Sequence, residues 1–224
     1  MPLIDDIKDS HSMLKGKTFK EKCKYFKDYY LLPTVIGIAV FMCLFFLIRD
    51  IVTNKDIAFE AAFINSFSVP DSEKFSERIN INQEKEEAFF DGSFYMDFQA
   101  TNISQTNYDN AQKLMAIVAS AQLDVIVCDR SFLENYLNSE FYGDLRNFYT
   151  EEELAELGDL VIRMTPYDEE EEKYLDEFPC AIDVTNAPQI VNNFCFPEKE
   201  AFLIFLANTK RVEFAKEFYR FLNE

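Results

Sequence analysis

At 224 residues the chain has room for one globular domain and something more. An apolar fraction of 48% with 24 Phe excludes global disorder, and five Gly with no Trp leave little material for glycine-rich phosphate loops. The net charge of −18 is uneven: residues 1–54 hold 8 Lys+Arg against 6 Asp+Glu, and residues 55–224 hold 14 against 34. So acidic a surface repels phosphate backbones, which argues against nucleic acid as a partner and suits a well-solvated domain or one that meets a cationic partner.

Residues 1–30 form a Lys-rich segment carrying the single His, His11. Leu31 to Ile48, LLPTVIGIAVFMCLFFLI, then runs 18 residues without a charge, about 27 Å as a helix and close to the hydrocarbon thickness of a bilayer. Pro33 sits in the first turn, where a missing N–H costs least. Tyr25, Tyr29 and Tyr30 stand where an aromatic belt would. A buried core helix competes by composition and a cleavable signal peptide by position. The length and flanks favour a span, and Arg49-Asp50-Ile51-Val52-Thr53-Asn54 offers no small-residue cleavage site. Lys15, Lys17, Lys20, Lys22, Lys24 and Lys27 precede the span, and only Arg49 and Lys55 follow it closely. The positive-inside rule places residues 1–30 in the cytoplasm. The expectation is therefore an uncleaved, single-pass signal anchor in the cell membrane, with 49–55 as linker and 56–224 as an extracellular domain.

In that domain, Asp56 to Val69 reads as a strand ending at Pro70-Asp71, and Asp71 as the cap of a helix through Ile79. NQEKEEAFF reads as polar, Asp91-Gly92 as a turn, and SFYMDFQA as a second strand with Phe94, Met96 and Phe98 on one face. A polar loop spans 102–107. Asp109 or Asn110 then caps a helix presenting Leu114, Ile117, Val118 and Gln122. Leu123 to Val127 is a strand apolar enough to be buried on both faces. It is followed by a helix with Phe132, Leu133, Tyr136 and Leu137, a break at Gly143-Asp144 and a short acidic helix near Glu151–Leu157. Asp168 to Glu177 is a solvated acidic run. Strands at Cys180–Val184 and Ala201–Ala207 precede a last helix, capped by Asn208 or Thr209, that aligns Val212, Ala215, Phe218, Tyr219 and Leu222. This alternation predicts an α/β domain whose mostly parallel sheet is flanked by helices.

Catalytic signals are poor. With His11 before the span, the domain has no histidine base, triad or metal site, and it holds no nucleotide-binding glycine motif. Cys128 beside Asp129-Arg130 lacks a His partner, so a part-buried strand-end thiol is favoured over a nucleophile. Cys128, Cys180 and Cys195 fit no disulfide framework; a single Cys128–Cys180 bridge competes with reduced, apolar-packed thiols, which are favoured. The acidic run lacks calcium-loop order, so no metal or other cofactor is expected. Phe89, Phe90, Phe94, Tyr95 and Phe98 either line a sugar or peptide pocket or pack the core.

LDVIVCDRSFLENYLNSEFYGDL, FPCAIDVTNAP and AFLIFLANTKRVEFAKEFYRFL, in that order, resemble the extracellular solute-binding proteins of ABC importers. The resemblance rests on Leu123–Val127 with Gly143-Asp144-Leu145, and on Asn208-Thr209-Lys210 with Ala215-Lys216-Glu217-Phe218 through Phe221-Leu222. It implies a reduced, periplasmic-binding-protein-like domain, since members of that family have two lobes and this domain has room for about one. It also implies non-catalytic ligand capture or association with a membrane transporter. The matching ligand loops are Ser66, Phe67 and Ser68 after the first strand and Cys128, Asp129 and Arg130 after the third. Arg130 would pair with a ligand carboxylate, or else with Asp129 or a helix end. The alternative function is a protein-interaction or assembly module that uses the scaffold without a small-molecule ligand.

Overall fold

The computed structural model describes residues 18–53, 55–98, 105–136, 141–168 and 173–224. The start of the Lys-rich segment with His11, Lys15 and Lys17, parts of the second expected strand and of the polar loop (99–104), Leu137, and the middle of the acidic run (169–172) lie outside the described residues. The chain divides into two units at Asn54/Lys55.

The first unit is helical. Helix α1, Phe19–Tyr29, opens with a capping box between Thr18 and Glu21, and α2 covers Leu31–Thr53. Leu31–Arg49 is long and apolar enough to cross a membrane, and none of it is buried within the protein. Apolar side chains on every side of a helix need an apolar surrounding that the described residues do not supply.

The second unit is α/β. In chain order it holds β1 (Asp56–Ile64), α3 (Ser72–Arg78), β2 (Glu86–Phe94), α4 (Gln105–Ala119), β3 (Val125–Cys128) and α5 (Arg130–Asn135). These are followed by α6 (Glu151–Leu157), β4 (Val161–Met164), β5 (Tyr167–Asp168), β6 (Lys173–Tyr174), β7 (Phe178–Asp183), α7 (Pro188–Asn192), β8 (Phe202–Phe205) and α8 (Val212–Leu222). Six strands form one sheet in the order β2-β1-β3-β8-β7-β4, and β5 and β6 pair as a separate ribbon.

The sheet is mixed, which corrects the expectation of a mostly parallel one. β1 lies parallel to β2 and β3, while β8, β7 and β4 continue antiparallel. The connection from β7 to β8 explains the reversal. Its one helix has five residues, about 7.5 Å, too short to carry the chain back along a six-residue strand of about 20 Å. The segment instead closes at the same end, where the Val184 N–H donates to the Ala201 carbonyl at 2.9 Å.

Side-chain alternation along β1 divides the core. Phe59, Ala61 and Phe63 face one layer with Phe75 of α3 and Ala215, Phe218, Phe221 and Leu222 of α8. Ala62 and Ile64 face the other with Leu114 and Val118 of α4 and Phe132 and Leu133 of α5. The Phe218 ring lies 5.2–5.4 Å from those of Phe59, Phe75 and Phe90, so the abundant Phe forms one interlocked layer. β3 is buried along its whole length, as a central strand covered on both faces must be.

Several boundaries differ from the sequence expectation. The strand expected at 93–100 is β2, and it begins at Glu86: parallel pairing with β1 overrides the polarity of its first residues. Asp91-Gly92 lies inside it and makes no turn. A Cβ at Gly92 would meet Val69 Cγ1 at 2.8 Å, so this Gly admits the loop after β1. β1 stops at Ile64, because Asn65 takes a left-handed backbone (φ +60°). α4 starts at Gln105, not at Asp109 or Asn110, and Gln122 lies beyond it. Asn208 and Thr209 do not cap α8; they donate to the Val118 carbonyl and to Asp124. Cys128, Cys180 and Cys195 are free and buried, with no bridge.

Glu60 on β1 is buried on the α4 side. Its carboxyl is raised above the ordinary glutamate range, first by burial and then by Asp91 and Asp124, against the opposing pull of Arg211 and Lys113. A raised carboxyl favours the protonated folded state, so the cost of ionising it is complete above its folded pKa and absent below its unfolded one. Glu60→Gln is therefore expected to raise the melting temperature at pH 7, with the gain shrinking as pH falls through the carboxylate range. Thermal unfolding of both proteins across that range checks it; an equal or larger gain in acid would refute it.

Candidate functional site

In the order β2-β1-β3, the chain leaves β1 through a helix on one face and reaches β3 through a helix on the other. The carboxyl ends of β1 and β3 are thus a topological switch point, where adjacent loops diverge and open a crevice. An open cleft of about 820 Å³ lies there. Its walls come from Asn65 after β1, Tyr95–Phe98 after β2, Asp129–Ser131 and Glu134 from α5 and its cap, and Glu198–Glu200 before β8.

Two buried polar residues build its floor. The Asn65 N–H donates to the Phe94 carbonyl at 2.9 Å, and its side-chain oxygen accepts the Met96 N–H at 2.7 Å. Its Nδ2 donates to both Asp129 oxygens at 3.2 and 3.3 Å. Asn is among the few residues that tolerate the left-handed region, so one side chain ties the ends of three strands. Asp129 caps α5 by accepting the Phe132 N–H at 3.1 Å, and it also accepts from Ser131 Oγ at 2.7 Å and Lys199 Nζ at 3.1 Å. Both floor residues are only 5% exposed.

Arg130 bonds Glu200, approaches Glu134 at 3.6 Å and lies over the Phe202 ring, 5.0 Å from its centroid. The Arg130 guanidinium holds the Glu200 carboxyl below the usual range. The lining contains Asp97, Asp129, Glu134, Glu198 and Glu200 against Arg130 and Lys199, an excess of three carboxylates. Tyr95, largely exposed, and Phe98 add aromatic faces. Such a lining disfavours anions, and it suits hydroxyl- or amine-bearing molecules that donate to carboxylates and lie against rings.

The six residues singled out from sequence do not share one place. Asp129 and Arg130 line the cleft, Asp129 in its floor and Arg130 on its wall, paired with glutamates. Cys128 is fully buried beneath, in the layer with Phe132 and Phe202. Burial, with the Asp129 charge adding to it, pushes its thiol well above the usual range, far from the thiolate a nucleophile needs. Phe67 and Ser68 bond the 193–195 segment, while Ser66 turns back to β1. Ser66 Oγ donates to the Phe63 carbonyl at 3.5 Å, the Phe67 N–H to the Cys195 carbonyl at 2.8 Å, and Ser68 Oγ to the Asn193 carbonyl. Of the five aromatics, Phe90 and Phe94 are in opposite core layers, Phe89 is partly exposed, and Tyr95 and Phe98 reach the cleft. Sequence reasoning missed Asn65, Ser131, Lys199 and Glu200. An Asn directly after an apolar strand run was the available signal for Asn65; Lys199 and Glu200, 70 residues from their partners, carried none.

Asn65→Ala removes three side-chain bonds and leaves Ala in a left-handed backbone. It is expected to destabilise the protein by about 2–4 kcal/mol, read by urea unfolding. Asn65→Gly, which relieves only the backbone, should recover part of that loss. No family model matches this chain, and no curated protein or solved structure does either.

Proposed function

We propose that this chain is a non-catalytic binding protein anchored by a single membrane span at Leu31–Ile48, with its acidic α/β unit outside the cell. The unit takes a small polar ligand in the cleft above β1 and β3. The supporting observation is the cleft's place: a switch-point crevice lined by loops from four strand ends, with polar groups converging over a floor of Asn65 and Asp129. Its ligand is neutral or cationic and rich in hydroxyl or amine groups, because both cations in the lining are engaged by carboxylates. The resemblance to importer solute-binding proteins supports capture for, or association with, a membrane transporter.

The span reading is supported by the unburied apolar length of α2, and the orientation by the lysines before it. Protease added to intact cells is expected to remove the carboxyl-terminal unit. Its survival until the membrane is permeabilised would place the unit inside and end the exterior role.

A second reading, an assembly module without a small ligand, is favoured by the exposure of Phe67 (76%) and Phe194 (72%). Phe194 also holds a left-handed backbone, φ +53°, that a bulky residue rarely adopts. One measurement separates the two: thermal unfolding of the detergent-solubilised chain against sugars, amino acids, polyamines, peptides and metal ions. A true ligand at about a hundredfold over its Kd raises the melting temperature by about 5–10 °C. Tyr95→Ala and Glu134→Gln should abolish that rise without lowering the unliganded temperature. Indifference across the whole panel favours the assembly reading.

A further inference from the structure

Helix α1 has a distribution of side chains that the span does not explain. Phe19, Cys23, Phe26 and Tyr30 recur at positions i, i+4, i+7 and i+11, with Tyr25 and Tyr29 on the adjoining flank. The aromatic rings gather on that side: Tyr25 lies 4.8 Å from Tyr29, and Phe26 lies 6.2 Å from Tyr30. Among the described residues Phe19 is 83%, Tyr29 67% and Phe26 47% exposed. Lys20, Lys24 and Lys27 border it, Lys22 stands between Phe26 and Tyr29, and Glu21 and Asp28 occupy the opposite side. Long lysine stems can run along an apolar boundary while their ammonium groups reach outward.

The joint with α2 also fits. Pro33 has no N–H to donate to the Tyr29 carbonyl, and Tyr30 is the C-cap of α1, its N–H donating to the Phe26 carbonyl at 2.8 Å, so α1 ends where the apolar run begins. An apolar stripe, a lysine border and direct continuity with a membrane-length helix together specify a lipid surface.

We infer that α1 is an interfacial helix that lies in the headgroup layer, its Phe19–Cys23–Phe26–Tyr30 stripe in the lipid and its lysines on anionic headgroups. This rests on the membrane-span reading of α2, and the experiment keeps the two apart. The chain contains no Trp, so Phe26→Trp, Asp28→Trp and Phe41→Trp each carry a single fluorophore. The full chain of each is placed in vesicles of phosphatidylcholine, alone or with one phosphatidylglycerol for every two phosphatidylcholines, and quenched with brominated lipid.

In the anionic vesicles the Trp at 26 is expected to be blue-shifted and quenched at least twofold more than the Trp at 28. High salt, or Lys20, Lys24 and Lys27 all changed to Gln, should remove the difference. The Trp at 41 should be quenched in both vesicles. Equal quenching at 26 and 28, or no response to phosphatidylglycerol, overturns the inference while leaving the span intact. Oxidative cross-linking of Cys23 between chains, with the Trp at 26 unquenched, assigns the face to a second copy and also overturns it. An unquenched Trp at 41 instead removes the span reading on which the inference stands.

Discussion

An ion pair between the buried Asp124 and the partly exposed Arg211 ties the start of the central strands to one geometry. Asp124 is 1% exposed, and its carboxylate accepts from the Glu60 N–H, Thr209 Oγ and Arg211 Nε, all within 3.0 Å. Burial dominates and leaves the carboxyl above its ordinary range despite these donors. Arg211 extends the tie, donating to the Ile57 carbonyl at 2.9 Å and the Gln122 carbonyl at 2.6 Å. The beginning of β1, the approach to β3 and the lead into α8 meet at one guanidinium. A charged pair with one partner buried is weak evidence for net stability but exacting about geometry, since its partners admit one arrangement. Between such polar ends the strands are apolar, and an apolar strand alone constrains its register only by which face each residue takes.

The far ends of the same strands carry the complementary tie, with Asn65 and Asp129 in place of Arg211 and Asp124. The cleft therefore sits on a rigid floor. Its walls are loops and one face of α5, and their residues come from segments that only the folded sheet brings together. The Phe layer under one face supplies the rigidity, and α4 and α5 close the other.

The elements legible in the sequence were those whose burial matched their chemistry. β3, β7, β8, α3 and α8 could be read because uniform apolar runs or clear helical spacing marked them. β2 was misplaced because Glu86 and Glu87 open a strand stabilised by backbone pairing with β1, which side-chain polarity does not report. β4 escaped notice because its four residues are only partly covered. Strand direction was illegible for a different reason: it depends on how far a connection can carry the chain, which is a property of length and local helix. At the cleft, Asp129-Arg130 stood out as polarity arriving at the end of an apolar strand. The residues that complete the site are held by contacts across 64 to 70 positions, and no local pattern announces such contacts.

Lys199 is itself a cation seated on the carboxylate in the cleft floor. Were an amine to take the place of this ammonium on Asp129, the 198–200 segment would lose the Lys199 tie and keep the Arg130–Glu200 pair. On the binding reading, occupancy and the freedom of that wall would be two sides of one equilibrium: whatever loosened the segment would make room for the guest, and the guest would loosen the segment in equal measure.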